Sequence, residues 1–418
     1  MLTALRSRDF RLLWLSQSAS TLGDGLVLVA VGLFVTRLTG HPSDVGLVLA
    51  GYSVPLVVLV LFGGVLADRL PRQTLMVTSD AVRACLHGLL AVLILTGAVR
   101  VWHMVVIGVL FGTAEAFFRP AYTGLVPQTV AEADIQGAQA LSGVSRELAQ
   151  VVSPALSTAL VLGVGGAAAF GLDAATFVLS AVLVLRIRPR ARGDAPVGGT
   201  TVFAELREGF VALRERAWVW VVVLSFSASL LLALAPFYVL GAAVSEQLYG
   251  TDAVYGLANA AWGVGTVTGV LVGARWRPRR PMLAAQVASV PWPGCVAAFA
   301  LGPPLPVLYV LMALAGLGIG VFAVWWETAL AQRIPPHLLS RISAWDHMGS
   351  LALLPLGYVL SGPAADLLGG PEVLRYGGLL GVVAMALGLL SRDVRTLPRL
   401  EQPAPLLVPD PPLPLGTG

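Results

Sequence analysis

The sequence contains no lysine, so all 27 basic residues among its 418 positions are arginine. That bias fits a GC-rich coding sequence, and it also excludes chemistry. A phosphate-cradling P-loop requires its lysine, and a Schiff-base enzyme requires a side-chain amine. Cysteine is nearly absent too. Cys85 and Cys295 stand far apart in apolar runs and give neither a disulfide framework nor a metal pattern. The five histidines, His41, His87, His103, His337 and His347, show no HExxH or HxxxH spacing, so no metal and no cofactor are expected. Charge of either sign is scarce, at 12% of residues against about 25% in an average soluble domain.

What the chain has instead is apolar length. A bilayer core about 30 Å thick is crossed by about 20 apolar residues in a helix. Twelve such runs are readable, at roughly 12–38, 45–67, 74–97, 101–125, 137–162 and 167–187 in the first half, and 218–243, 253–276, 282–301, 305–330, 341–362 and 373–391 in the second. Helices are expected throughout, because a lone strand leaves its backbone groups unsatisfied in lipid. The fold class is therefore an all-α membrane protein. Between the halves, "FAELREGFVALRERAW" (203–218) alternates apolar and charged residues at helical spacing and is expected to lie on the membrane surface. The first apolar run is too long for the core of a signal peptide, so no cleavage is expected.

The arginines orient these spans. With the N-terminus inside, 21 of them fall on the cytoplasmic side and only Arg37, Arg100 and Arg375 on the other, with Arg83, Arg119 and Arg146 inside spans. This is a strong positive-inside bias, and it places both termini in the cytoplasm. It also accounts for the basic character of the chain without nucleic-acid binding. The expected organisation is a six-helix bundle over 1–187, a cytoplasmic linker over 188–217, a second bundle over 218–392, and a disordered proline-rich tail over 393–418. The halves repeat weakly: "GVLAD" (64–68) aligns with "GVLVG" (269–273), and "TGLV" (123–126) with "TALA" (328–331), both at a shift of 205 residues. Two matches at one offset, with six spans in each half, indicate a duplication.

The stretch "GGVLADRLPR" between the second and third spans resembles the signature Gly-x-Leu-Ala-Asp-Arg-x-Gly-Arg of the major facilitator superfamily. Gly64, Leu66, Ala67, Asp68, Arg69 and Arg72 match, while Pro71 departs where the family usually has glycine and Gln73 where it often has a basic residue. The resemblance implies the major facilitator fold, twelve transmembrane helices in two six-helix halves related by pseudo-symmetry. It also implies that Gly64, Asp68, Arg69 and Arg72 form a gate that latches the halves on the cytoplasmic side. Read without the family, the same residues make a tight turn anchored by snorkelling arginines. "STLGDGLVLVA" (20–30), "FFRPAYTGLVP" (117–127) and "VSPALSTAL" (152–160) are similar to bacterial drug and siderophore exporters, including the macrolide-efflux and enterobactin-export groups. Pro154 matches part of an antiporter signature whose full glycine set is missing here.

Ionisable residues inside spans cost about 2.5–3.5 kcal/mol each on insertion scales, so each calls for a reason. Asp24 lies near the middle of the first span between Gly23 and Gly25, which admit close approach of a helix or a ligand. Burial disfavours the charged form of a carboxylate, which suits such a group to carrying a proton. The alternative is a structural acid bonded to a neighbour. Glu115 and Arg119, four apart, share one face of the fourth helix as a coupling site or as a self-neutralising pair. Arg119 also resembles a fourth-helix arginine linked to proton movement in exporters. Arg146 and Glu147 point about 100° apart, so one of them is placed to face Asp24 or Glu115. Glu327 and Asp346 are expected at solvated ends. Trp325, Trp326, Phe117, Phe118 and Tyr122 are read as packing or lipid-facing groups, with a ligand path as the alternative. "GTVTGVLVG" (265–273) reads as close helix packing.

The expected function is secondary transport that exports a small amphipathic drug, siderophore or metabolite across the bacterial inner membrane. The mechanism would be alternating access, with protons moving in the opposite sense. The expected partners are that molecule, protons and the lipid bilayer, with the protein a monomer. An importer or facilitator of the same fold remains the alternative, and a non-transporting scaffold a further one. An enzyme is not expected, because no nucleophile–base or metal constellation appears.

Overall fold

The protein is described by a computed structural model covering residues 2–131, 134–188 and 202–398, with the side chains of 2, 61–69, 136, 140, 147, 150, 151, 202–206, 331, 336, 337, 339–341, 344 and 347 outside the description. The first half is six helices, α1 (Arg8–Thr39), α2 (Pro42–Arg69), α3 (Arg72–Leu95), α4 (Val101–Thr129), α5 (Ile135–Gly163) and α6 (Gly166–Leu185). A short helix α7 (Val202–Arg214) precedes the second half. There α8 (Ala217–Ser229) and α9 (Ala235–Tyr249) form one rod through a π-type bulge at Leu230–Leu234, followed by α10 (Ala253–Arg275). The ninth crossing is divided into α11 (Pro281–Ser289) and α12 (Trp292–Phe299), the tenth is α13 (Leu305–Arg333), and the eleventh is divided into α14 (Pro336–Leu351) and α15 (Leu354–Leu368). The last is α16 (Gly370–Leu387), and α17 (Arg392–Thr396) closes the described chain.

The two divisions have a local cause. Proline removes a backbone donor and its ring clashes with the carbonyl four residues earlier. Pro291 stands in the first break, and Pro355 sits four residues after Leu351, where α14 stops. Among the described residues, eleven helical segments are long and apolar enough to cross a membrane. The remaining helix, α5, has crossing length at 29 residues, but its uninterrupted apolar stretch is only Val152–Gly163.

The halves repeat in how they pack. In the first, α2 lies on α4, α3 on α6, and α1 on α5 and α6. The equivalents α10 on α13, α12 on α16, and α9 on α15 repeat the arrangement. The shift of 205 residues carries α4 (Val101–Thr129) almost onto α13 (Leu305–Arg333). The predicted close packing in 265–273 is present, since a Cβ at Gly265 or Gly269 would overlap the backbone carbonyl of Ala313 or Leu317 on α13.

Short loops make successive crossings antiparallel, so one face collects the start of α1 together with α7 and α17, and the opposite face collects the ends of α1, α5 and α9. We call these the linker face and the far face. Toward the far face one apolar core joins both halves, from Val29, Leu49 and Phe170 to Phe237, Tyr255 and Tyr358. Toward the linker face the core of the described residues is split in two. One part, around Phe10, Met76 and Leu125, belongs to the first half, and the other, around Trp218, Trp325 and Ile342, belongs to the second. Small residues allow the far-face approach: a Cβ on Gly46 of α2 would overlap the Tyr358 carbonyl of α15, and one on Gly362 would overlap Ser43. The described residues of the two halves therefore share a core at the far face and form separate cores toward the linker face.

Three details differ from expectation. Helix α7 does not only lie on a surface: Ala212 and Leu213 are buried in the second half's core, and Phe210 packs on Trp345 of α14 at 5.1 Å between ring centroids. Asp346 is not solvated but buried, accepting from Trp326 Nε1 at 2.8 Å, whereas Glu327 is exposed as expected. The predicted tail begins in order, with Val394 of α17 buried in the second half, and 399–418 lie outside the described residues.

Candidate functional site

Five charged residues of the first half's spans, Asp24, Arg83, Glu115, Arg119 and Arg146, converge on one cavity. This cavity of about 670 Å³ opens inside the first half, and among the described residues its lining comes from α1 to α6 alone. That volume is within the range of about 300–1,000 Å³ common for small-molecule sites. Gln17, Thr123 and Arg146 mark its end nearer the linker face, and Val31, Val48 and Met104 its end nearer the far face.

Asp24 stands at the midpoint of the 32-residue α1 and lines the cavity, with its side chain 33% exposed there. Its Oδ1 has no hydrogen-bond partner and lies 4.0 Å from Arg83 Nη1. The flanking glycines serve helix packing: a Cβ on Gly23 would strike the Asp173 carboxylate of α6, and one on Gly25 would strike Ser153 of α5. Glu115 and Arg119 form the predicted pair on α4, with Arg119 Nη2 and Nε donating to Oε1 at 2.6 and 2.8 Å. The other oxygen, Oε2, accepts from the Tyr52 hydroxyl of α2 at 2.6 Å. Both oxygens of Glu115 are thus occupied, and the Arg119 guanidinium keeps an exposed edge in the cavity. Arg146 also lines the cavity, at its mouth, while the Glu147 side chain lies outside the described residues.

Further charge lies between α3 and α6, where Arg83 and His87 line the cavity and Asp80 and Asp173 sit behind them. Arg83 on α3 is 1% exposed, donates to Asp80 Oδ1 at 2.6 Å, and has its guanidinium carbon 4.2 Å from the ring centroids of both Phe118 and Phe177. Asp80 in turn accepts from Ser180 of α6 at 2.6 Å. Two turns nearer the far face, His87 Nδ1 is hydrogen-bonded to Asp173 Oδ2, and the His87 ring stacks on Phe111 at 4.1 Å. Asp80 to His87 and Ser180 to Asp173 are each seven residues, so the two rungs span the antiparallel α3–α6 contact roughly 10 Å apart.

Sequence reasoning missed Asp80, His87, Asp173 and Tyr52 and gave Arg83 no role. A signal was present. Asp80, Arg83 and His87 fall at i, i+3 and i+7 on one face of an apolar run, a pattern that metal-ligand spacing does not reveal. Asp173, inside "FGLDAATF", is likewise a mid-span acid. Phe118 and Tyr122 line the cavity, with Phe118 also packed in the first half's core, whereas Trp325 and Trp326 are core of the second half. Of the predicted gate, Gly64, Asp68 and Arg69 have side chains outside the described residues. Arg72 donates from Nη1 to the Gly124 carbonyl on α4 of its own half.

Comparison with known proteins agrees with this architecture. Residues 1–412 match the major facilitator family described as transmembrane secretion effectors. The multidrug efflux pump Tap of Mycolicibacterium fortuitum is 29% identical over 365 residues, 83% of this chain and 87% of that protein. Macrolide efflux protein A of Streptococcus pyogenes is 22% identical over 93% of this chain and 97% of its own. Among solved structures, a point variant of the nucleoside transporter NupG superposes with a TM-score of 0.73 at 13% identity, covering 91% of this chain and 99% of that one. A bacterial homologue of the human lysosomal transporter Spinster, in an inward-facing and unoccupied conformation, gives 0.72 at 14% identity, covering 96% and 99%. A multi-pass helical protein with two repeated halves, a mid-span cavity and a family match over nearly its whole length, this chain belongs to the transmembrane secretion effectors of the major facilitator superfamily.

Proposed function

We propose that the protein exports a small amphipathic molecule across the bacterial cytoplasmic membrane by alternating access, coupled to inward movement of protons. The linker face and both termini lie in the cytoplasm, in keeping with the arginine distribution. The observation that carries this reading is the cavity itself. It sits mid-span, is walled by Phe111, Phe118 and Tyr122, and contains the Asp24 carboxylate, one oxygen of which accepts no hydrogen bond. Aromatic walls suit an apolar body, and a mid-membrane acid suits a proton or a cationic group. The divided core at the linker face supports an inward-open state, from which substrate enters the cavity from the cytoplasm. The efflux activities named for Tap and for macrolide efflux protein A support the outward direction.

In the cycle, rocking of the halves opens the far face, Asp24 or Glu115 takes a proton there, and closure returns it to the cytoplasmic side. Each proton moving inward at 100 mV contributes about 2.3 kcal/mol from the potential alone. Arg119 and Arg146, with Glu147, set the local field, and Asp68, Arg69 and Arg72 beside Gly64 latch the linker face once it closes. The test is ethidium transport in proteoliposomes under an imposed proton gradient. Wild type moves the dye against its gradient, whereas Asp24→Asn or Glu115→Gln abolishes that movement. Full gradient-driven transport by both variants would remove the coupling assignment.

A further inference from the structure

Each buried acid of the first half has a cationic neighbour, but the cations are not alike. Asp80 has Arg83 and Glu115 has Arg119, and a guanidinium keeps its charge at any relevant pH. The ionic partner the structure gives Asp173 is His87, which is a cation only when protonated. Asp173 is fully buried and His87 nearly so, at 0% and 5% side-chain exposure. An ionised carboxylate in such a place is strongly disfavoured without a positive partner. The pair is therefore most stable in its net-neutral form, as imidazolium and carboxylate or as imidazole and carboxylic acid, and less stable once the second proton leaves and a neutral imidazole faces the ionised carboxylate across the shared Nδ1 proton.

The pair also has a way to exchange that proton. His87 lines the cavity, and its Nδ1 is engaged with Asp173, which leaves Nε2 as the nitrogen available to cavity water. Stacking on Phe111 and an edge contact with Phe170 at 5.6 Å hold the ring in this orientation. Behind it, Asp173 lies against Gly23, beside Asp24, and only a residue without a side chain leaves room for the carboxylate there. The titratable and charged groups around the pair are Asp24 from α1, Tyr52 from α2, Asp80 and Arg83 from α3, and Glu115 with Arg119 from α4.

From this geometry we infer that His87 and Asp173 form a proton-holding site of their own, loaded from the cavity through His87. Loading transfers a proton from cavity hydronium to His87 Nε2 while the Nδ1 proton remains shared with Asp173. Release returns the proton from Nε2 to cavity water. The site deepens the proposed export reading by adding a proton carrier to Asp24 and Glu115, and its significance for transport rests on that reading.

The test needs no substrate and no gradient. Purified protein in lipid is titrated across about pH 5 to 8, with protons counted by potentiometry and the carboxyl and imidazole bands followed by infrared spectroscopy. Wild type is expected to exchange about one proton per chain more than His87→Gln or the double variant His87→Gln/Asp173→Asn, which replaces the pair by two neutral amides. Histidine labelled with ¹⁵N in the otherwise unaltered protein should show a buried, hydrogen-bonded ring that changes charge in the same window. An equal proton count in wild type and variants, or a labelled ring that never changes charge, would overturn the site. Because transport is not measured, failure of this site and failure of the export reading are seen separately.

Discussion

Arg37 at the end of α1 and Asp252 at the start of α10 join the two halves at the far face through a two-pronged ion pair, with Nε to Oδ2 at 2.5 Å and Nη2 to Oδ1 at 2.7 Å. Asp252 is 7% exposed and Arg37 47%, so the pair is half-sheltered and its strength lies between the surface and buried limits. It closes the face at which the apolar core is already continuous.

Asp252→Asn should therefore weaken far-face closure by about 1 kcal/mol, roughly a fivefold shift in the ratio of the two states. Spin labels on the far-face ends of α1 and α10, read by pulsed dipolar spectroscopy, would report a larger population at long separation. An unchanged distance distribution would show that the core contacts alone hold this face.

Arg83 gives the opposite kind of prediction, one of stability. Removing one partner of a buried pair leaves the other charge uncompensated, at about 3–5 kcal/mol. Arg83→Ala should thus lower thermal stability sharply, while Arg83→Lys, which keeps the charge but loses the flat packing between Phe118 and Phe177, should fall between. Thermal melts in detergent separate the three proteins, and identical midpoints would contradict the buried pair.

At the α10–α13 contact, Gly269→Val places a branched side chain where even a Cβ overlaps the Leu317 carbonyl. Overpacking of this sort costs about 1–3 kcal/mol. The expected outcome is a lower melting midpoint and reduced expression, and a midpoint equal to wild type would mean that the helices separate freely there.

Helix α7 is anchored by aromatic contact, so Phe210→Glu should release it from α14. Limited trypsin digestion would then cut faster at Arg214 and Arg216, next to the released helix. An unaltered digestion rate would place the anchor in Ala212 and Leu213 alone.

The twelve crossings, their alternation and the twofold repeat were legible in the chain itself. Hydropathy acts locally in lipid: a run of about 20 apolar residues has one way to satisfy its backbone, whatever its neighbours do. The Glu115–Arg119 pair was legible for a similar reason, since helical geometry alone brings residues four apart together. The glycine spacing in 265–273 marked a close contact, although not that α13 was the partner.

Which charges share a cavity was decided only in three dimensions. Asp173 is 86 residues from His87, Ser180 is 100 from Asp80, and Asp252 is 215 from Arg37. Each pairing depends on how two helices rotate about their own axes and where they cross, and composition carries no record of either. The same holds for the siting of the cavity in one half and for the face at which the halves meet. Apolar residues line every helix on several sides, so only the packed arrangement selects which of those surfaces meet.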